Sequence, residues 1–330
     1  MRRLFTVLAA AVLLLTACAP GEGDASASAP TSSAGVEQSA QGTCIFTDSL
    51  GNTVELEQPP KRVAALLGSY AETWLLAGGE VAAVTQDAYD ERGLELPEDT
   101  VNLGANQQPD LEALLAAEPD LVLLTPDLDG QMGLKDSLAA AGIPAAWFKV
   151  ETFDDYLNML KICTDLTGRS DLYQKNGLDI QSGIDAAIAS VPEGEDPTVL
   201  LLRAYSSGVR AKNSDNIAGA MLKDLGAVNI ADSNSGLLED LQMESILAAD
   251  PEFIFVTTMG ASQEAALKSL DELLHSDPAW QTLTAVKEGR VEVLPKDLFH
   301  YKPNARWGES YQMLAELMYG SGEKIGRAHV

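Results

Sequence analysis

The phrase PDLEALLAAEPDLVLL, residues 109–124, returns in altered form as LQMESILAADPEFIFV, residues 241–256. Each copy predicts an amphipathic helix, a turn at a proline and a buried strand, which together make one unit of a parallel sheet. The fourth residue of both copies is a glutamate, Glu112 or Glu244. The repeat indicates a pseudo-symmetric molecule with two equivalent lobes, and the alternative is convergence of two ordinary helix–strand units.

Apolar runs and helical patterns alternate on both sides of the repeat, as they do in sheets built from βα units. The predicted strands are residues 63–67, 81–85, 101–104, 121–125, 145–150, 198–205, 228–232, 253–258 and 291–297. Residues 151–191 keep the helical period with no strand between them, and they predict a connecting helix with a kink near Gly168. We therefore predict an α/β fold of two Rossmann-like lobes joined by a single long helix, with a ligand cleft between the lobes.

The first residues, MRRLFTVLAAAVLLLTAC, have the three-part layout of an export signal. Leu15, Thr16, Ala17 and Cys18 resemble a bacterial lipobox, which predicts a signal peptide at residues 1–17 and a lipid on Cys18. A plain signal peptide with a chance cysteine is the alternative. Residues 18–43 are rich in Ser, Ala, Gly and Pro and predict a flexible linker.

The predicted domains after the linker are an N-terminal lobe at 44–150, the connecting helix at 151–191 and a C-terminal lobe at 192–323. The final residues 324–330, KIGRAHV, follow no helical or strand pattern. They match the translation of a common sequencing adapter, so we interpret them as an artefact and ignore His329.

Composition and motifs exclude several function classes. A formal charge of −27 over 330 residues repels nucleic acid and anionic lipid. The chain has no P-loop, no G-x-S-x-G, no H-E-x-x-H and no dinucleotide fingerprint, so we predict that it is not an enzyme. Its 3 histidines are too few for a bare zinc or manganese site.

The cysteines other than Cys18 are Cys44 and Cys163. An even pair in an oxidising compartment predicts a disulfide, and two buried free thiols are the alternative.

Several stretches carry a family resemblance through their order along the chain. They are DSLGNTVELEQPPKRVAAL at 48–66, the two repeated phrases, SGVRAKNSDNIAGAMLKDLGAVNI at 207–230 and HYKPNARWGESYQML at 300–314. Between residues 46 and 320 the chain resembles the helical-backbone binding lipoproteins of ABC importers, the class III periplasmic binding proteins that capture ferric siderophores, haem and cobalamin.

The resemblance implies function, partners and location. It implies a monomer that is held outside the cytoplasm by its lipid and has no cofactor. The protein would capture a ferric siderophore or haem as cargo and deliver it to an ABC permease dimer with its ATPase. Glu112 and Glu244 would dock into that permease. The alternatives are a cobalamin-binding member and a surface interaction lipoprotein without small-molecule cargo. Gly104, Ala105 and Thr125 stand where cobalamin binders have tryptophans, which disfavours cobalamin.

The predicted ligand-binding residues follow the strands, because open α/β sheets bind ligands beyond the carboxyl ends of their strands. They are Tyr70, Tyr89, Asn106, Arg203, Tyr205, Lys212, Met259, His300 and Tyr301. Arg203 and Lys212 would hold anionic oxygens, although a surface charge or local salt bridge is the alternative for each. His300, with Met259 or Tyr301, is a candidate haem ligand, and its alternative is a hydrogen-bonded loop histidine.

Overall fold

The computed structural model describes residues 35–40, 42–260 and 262–320. The predicted signal peptide, Cys18, the linker up to residue 34 and the segment 324–330 lie outside these ranges. Within these ranges no helix is both long enough and apolar enough to cross a bilayer.

The described chain begins with a small antiparallel sheet that was not predicted. Its strands, in spatial order, are β1 (Glu37–Gln38), β2 (Cys44–Thr47) and β3 (Thr53–Leu56). Because Glu37 pairs with Ile45 and the Val36 amide donates to Asp165, the predicted linker gives way to ordered structure before residue 43. The buried Asp48 closes the hairpin and also accepts from the Trp147 amide at 3.2 Å, which docks the hairpin on the N-terminal lobe.

The N-terminal lobe is a parallel sheet with helices between its strands. Its elements are β4 (Val63–Ala65), α1 (Gly68–Leu76), β5 (Val81–Val84), α2 (Asp87–Asp90), β6 (Val101–Asn102), α3 (Leu111–Ala116), β7 (Leu121–Leu124), α4 (Asp129–Met132), α5 (Lys135–Ala140) and β8 (Ala145–Trp147). The strand order is β6-β5-β4-β7-β8, with every pairing parallel. The carboxyl ends of these strands therefore share one edge of the lobe.

The connection between the lobes is a broken helix, which corrects the prediction of a single long one. It consists of α6 (Phe153–Thr167), α7 (Ser170–Tyr173), a π-helical turn (Gln174–Leu178) and α8 (Asp179–Ala189). A capping box between Thr152 and Asp155 starts α6. Gly168 ends it with a left-handed φ of 71°, a conformation that glycine adopts without steric cost. Helix α6 packs on α1, and α8 packs on the last helix among the described residues.

The C-terminal lobe is a mixed sheet. Its elements are β9 (Thr198–Tyr205), β10 (Gly208–Lys212), α9 (Ile217–Asp224), β11 (Val228–Asn229), α10 (Ile230–Ser233), α11 (Gly236–Glu239), α12 (Met243–Ala249), β12 (Phe253–Thr258), α13 (Gln263–Ser276), α14 (Thr284–Lys287), β13 (Val291–Val293), α15 (Lys296–Phe299) and α16 (Trp307–Tyr319). Strand order is β10-β9-β12-β13, with β11 also on β9. Only β10 pairs antiparallel within this described sheet, because it returns from β9 as a hairpin.

The repeated phrase forms the same unit in both lobes, as predicted. Helix α3 leads into β7, and helix α12 leads into β12. The residue before each proline, Glu118 or Asp250, has a positive φ of 47° or 39°. Each chain turn is thus made in the same way, so Glu112 and Glu244 occupy equivalent helix positions.

One apolar core continues from the N-terminal lobe through the connection into the C-terminal lobe. At its centre the ring of Phe153, on α6, meets the ring of Trp307, on α16, edge to face at 5.9 Å. Both side chains are buried, as is Tyr156 beside them. Separation of the lobes would expose these rings, and exposure of large apolar surface costs about 25 cal/mol per Å².

Cys44 and Cys163 are free thiols in the structure, so the predicted disulfide is corrected to its alternative. Both side chains are buried in the shared core, where a thiol packs like a small apolar group. The Cys44 thiol lies 3.6 Å from the Gly42 carbonyl oxygen. Burial raises the pKa of both thiols, which keeps them protonated and unreactive while the protein is folded.

We expect a thiol titration to find these two groups only after unfolding. A Cys18→Ser variant, exported but without lipid, should react with Ellman's reagent at no site when folded. In guanidinium without reductant it should react at Cys44 and Cys163. A bonded pair would instead stay silent until reductant is added.

Candidate functional site

The floor of the N-terminal half of the site is organised by one buried amide, Gln131. Its Nε2 donates to the Leu66 carbonyl at 2.6 Å and to the Asn106 carbonyl at 2.9 Å, and its Oε1 accepts from the Thr125 amide at 2.9 Å. These partners follow β4, β6 and β7 respectively. Gln131 therefore fixes three strand-end loops relative to one another, and it places the half-buried Asn106 at the carboxyl edge.

The predicted aromatic contacts of this lobe differ in exposure. Tyr70 is 1% exposed, and its hydroxyl donates to the Phe148 carbonyl at 2.5 Å, so it forms part of the wall instead of an open contact. Its ring still faces charge, because the Lys302 ammonium lies 5.7 Å from the ring centre. Tyr89, just after the start of α2, is half-buried.

On the C-terminal side, the predicted residues Arg203, Tyr205 and Met259 lie at the carboxyl ends of β9 and β12 and are half-buried. The Arg203 Nε lies 3.4 Å from the Thr257 hydroxyl on the neighbouring strand. The Met259 amide donates to the Ala204 carbonyl at 2.9 Å, which holds the end of β12 against β9.

The predicted Lys212 lies elsewhere. Because β10 runs antiparallel from the end of β9, Lys212 pairs with Leu201 instead of with the carboxyl end at Tyr205. The hairpin thus carries it back along the sheet, away from the edge where the other predicted residues meet.

His300 has three cationic neighbours. Lys296 lies four residues before it, Lys302 lies two residues after it, and Arg203 lies at the carboxyl end of β9. All three disfavour protonation of the His300 ring. Burial is the larger cause, and together these effects lower the pKa of His300 to about 3. The ring is therefore neutral at pH 7, and its buried Nδ1 has no hydrogen-bond partner within the described part of the chain.

Carboxylates do not neutralise this cluster directly. Within the described residues, no acidic oxygen lies within 4.0 Å of the charged nitrogens of Arg203, Lys296 or Lys302. Lys296 donates to the Gly260 carbonyl at 3.0 Å and lies 4.7 Å from the centre of the Tyr301 ring. Burial lowers the pKa of Lys302, against the opposing effect of the Asp127, Glu151 and Asp155 carboxylates. Three cations without a carboxylate ion pair in the described residues thus occur near His300, in a chain of charge −27.

The segment after α15 crosses to the N-terminal lobe and closes the base of the cleft. Burial is the main cause of the raised pKa of both Tyr301 and Glu91, and the nearby Glu91 carboxylate raises the pKa of Tyr301 further. The Asn304 amide donates to the Ser69 carbonyl at 2.8 Å and to Glu72 at 2.7 Å. Glu72 also pairs with Arg92. The segment that carries His300 and Tyr301 is thus tied to α1 of the N-terminal lobe through Asn304.

Sequence reasoning missed Lys296, Lys302 and Gln131. A usable signal existed for the two lysines, since Lys296 lies at the carboxyl end of the predicted strand 291–297 and Lys302 follows Tyr301 directly. Gln131 carried no such signal, because it lies on α4 and reaches the strand ends only through the fold. No group of three or more His, Cys, Asp or Glu residues suited to a bare metal ion occurs among the described residues.

The predicted docking acids are exposed. Glu112 lies in the first turn of α3, and Glu244 lies in the first turn of α12. Neither carboxylate forms an ion pair with any residue in the described ranges.

Comparisons with known proteins identify the family and the fold. The family described as periplasmic binding protein matches residues 63–298. The Fe(3+)-citrate-binding protein YfmC of Bacillus subtilis is 20% identical over 299 residues, covering 89% of each chain. The Fe(3+) dicitrate-binding periplasmic protein FecB of Escherichia coli is 25% identical, covering 72% of this chain and 78% of its own. The crystal structure of a periplasmic haem-binding protein from Pseudomonas aeruginosa shares the fold with a TM-score of 0.64 at 23% identity, covering 79% of this chain and 94% of that one.

We expect His300 to make the stability of the free protein pH-dependent. Its folded-state pKa of about 3 lies below the ordinary value of 6.5, so the unfolded chain binds the proton more readily. The resulting stability is present above pH 6.5 and is lost as pH falls towards 3. Between pH 7 and 5, the wild type should lose on the order of 1–2 kcal/mol more than His300→Gln. Urea unfolding of both proteins at the two pH values measures this, and equal losses would contradict it.

Proposed function

The chain belongs to the periplasmic binding protein family, and from this membership we propose that it captures an iron complex outside the cytoplasm and delivers it to an ABC importer. The observation that carries the proposal is the presence near His300 of three cations, Arg203, Lys296 and Lys302, none of which forms an ion pair with a carboxylate within the described residues. Such cations offer charge-assisted hydrogen bonds to anionic oxygens. The relatives named for ferric citrate and ferric dicitrate bind cargo of that chemistry.

The cargo that fits best is a ferric siderophore with anionic carboxylate oxygens. Arg203 would take a carboxylate with two parallel hydrogen bonds, whereas Lys296 and Lys302 would act as point charges. The neutral ring of His300 adds no charge of its own beside these cations. Tyr89, Tyr205 and Tyr301 would supply flat contacts, Asn106 a polar contact and Met259 an adaptable apolar one.

The pocket would be largely preformed. The core shared by the two lobes and the Asn304 hydrogen bonds oppose a wide hinge motion. Binding would therefore need small side-chain adjustments instead of lobe closure.

Haem is the second candidate cargo, and a neutral His300 favours it. A histidine with a pKa of about 3 keeps the lone pair that ligates haem iron. The Tyr301 ring lies beside it, with 5.4 Å between ring centres. A Soret shift on haem addition that His300→Gln abolishes, with ferric citrate failing to bind, would select haem over the anionic siderophore.

Delivery would use Glu112 and Glu244. Equivalent acids on the two lobes match the two halves of a permease dimer, and paired separated charges orient a docking complex. We also propose that Cys18 carries the lipid anchor, that the protein acts as a monomer and that it turns over no substrate. Cargo binding would exclude a surface lipoprotein without a ligand, and failure to bind cobalamin would exclude the corrinoid reading.

We expect substitution of the cluster to weaken cargo binding. Arg203→Gln, Lys296→Gln and Lys302→Gln should each raise the Kd for ferric citrate by about tenfold or more, since a hydrogen bond to a charged group contributes about 1.5–3 kcal/mol. Calorimetric titration with ferric citrate, and with iron-free citrate as the ligand control, measures this.

Two further lysine variants make that experiment specific. Lys268→Gln is the matched control, because its side chain is 76% exposed and pairs with Glu272 on α13. Lys212→Gln tests the hairpin placement and should also bind normally. If Lys296→Gln and Lys302→Gln bind ferric citrate as the two control variants and the wild type do, the cluster is not the cargo site.

We expect Glu112→Ala with Glu244→Ala to abolish iron uptake in cells while leaving the Kd for cargo unchanged, because both carboxylates lie outside the cleft lining. Uptake of radioactive iron and calorimetric titration give the two readings. Glu264→Ala, an exposed acid in the first turn of α13, is the control. Normal uptake by the double variant would refute the docking role.

A further inference from the structure

Two exposed leucines repeat with the docking acids. Leu115 is 36% exposed and Leu247 is 37% exposed. Each lies three residues after its glutamate, on the same helix. Residues three apart share one face of a helix, so each lobe presents a carboxylate and an isobutyl group side by side.

The surroundings of each pair are also alike. Ala116 and Ala248 follow the leucines and are exposed, so no bulky side chain of the helix hinders close approach at that point. The preceding apolar residue, Leu114 or Ile246, is fully buried and anchors the helix to its lobe. Within the described residues, Leu115 and Leu247 do not belong to the core clusters of their lobes.

The connectivity places both pairs near the cleft. Helix α3 leads into β7 and α12 leads into β12, so the last turn of each helix meets the amino end of a parallel strand. The first turns, which carry Glu112 and Glu244, consequently point towards the carboxyl edges that line the cleft. Each acid thus lies on the cleft side of its helix, with its leucine one turn farther from the cleft.

We propose that Leu115 and Leu247 are apolar anchors of the surface that contacts the permease, each inserting into a hollow next to the basic group that receives the neighbouring acid. This inference rests on the docking function proposed above. It commits to a two-fold symmetric partner, because the same pair occurs once per lobe. A second copy of this chain would bring acid against acid, and an anionic bilayer would repel both acids, so charge disfavours those occupants.

The leucines would add apolar contact area with the permease, and they would also strengthen the contacts between Glu112 or Glu244 and the basic groups of the permease. Apolar groups around a charged contact exclude water, and exclusion of water lowers the local dielectric in which the charges interact. The acids would mainly speed and orient encounter, whereas the leucines would slow dissociation.

The test uses a double variant, Leu115→Ser together with Leu247→Ser, in the full lipidated chain. Its binding to the cognate permease–ATPase complex in nanodiscs is compared with that of the wild type. We expect the double variant to bind the complex at least about tenfold more weakly, mainly through faster dissociation, since about 25 cal/mol is lost per Å² of apolar contact. The Kd for cargo should not change. Leu50→Ser with Val228→Ser is the control, because these side chains are exposed at 45% and 51% outside the two helices.

Salt separates the apolar contribution from the charged one. Raising salt screens the acids, with a Debye length of about 3 Å at 1 M, but leaves apolar contact intact. The ratio of wild-type to leucine-variant affinity should therefore persist from low to high salt. A ratio that falls to one at high salt would overturn the inference.

The two levels of the proposal fail in different ways. If the leucine variant docks normally while Glu112→Ala with Glu244→Ala does not, the leucines are not anchors and the docking acids stand. If neither double variant affects docking, the surface itself is misassigned and both ideas fall.

Discussion

The hydrogen bonds of Asn304 are the constraint on which the cleft depends. This side chain leaves the C-terminal lobe, is buried in the N-terminal one and holds α1 through a carbonyl and a carboxylate. Its φ of 52° lies in the left-handed region, which asparagine tolerates better than most residues. The turn that makes this reach also sets where Tyr301 and Lys302 lie. The width of the cleft and its charge therefore follow from one short crossing segment.

The sequence predicted correctly those strands that form long apolar runs, and it missed several short ones. Strands β9 and β12 have the bounds that the sequence indicates, because a strand buried on both faces reads as an unbroken apolar run. The β2–β3 hairpin and β10 were missed, since both alternate with polar residues and are only a few residues long. The break at Gly168 was visible as a glycine, but whether a glycine bends a helix or ends it depends on the packing of α6 and α8 against different lobes.

The site was predictable where strand ends alone decide position. Arg203, His300 and Tyr301 come together at the cleft because parallel strands share a carboxyl edge. Tyr70 follows a strand too, yet its hydroxyl satisfies a carbonyl within the lobe. Lys212 could not be placed without knowing that its strand reverses direction. Spacing along the chain says which residues are near an edge, whereas direction and burial come only from the assembled sheet.

The unpaired cations lie inside a strongly acidic molecule, and this contrast has a consequence for habitat. At about 0.15 M salt the Debye length is about 8 Å, so an anion near the cleft responds to Arg203, Lys296 and Lys302 and hardly to the rest of the surface. At about 0.01 M salt, as in fresh water, the Debye length grows to about 30 Å. The negative charge of the whole protein surface then repels an anionic cargo while it is still approaching the cleft. Capture by this protein would thus be quicker in saline surroundings than in dilute ones.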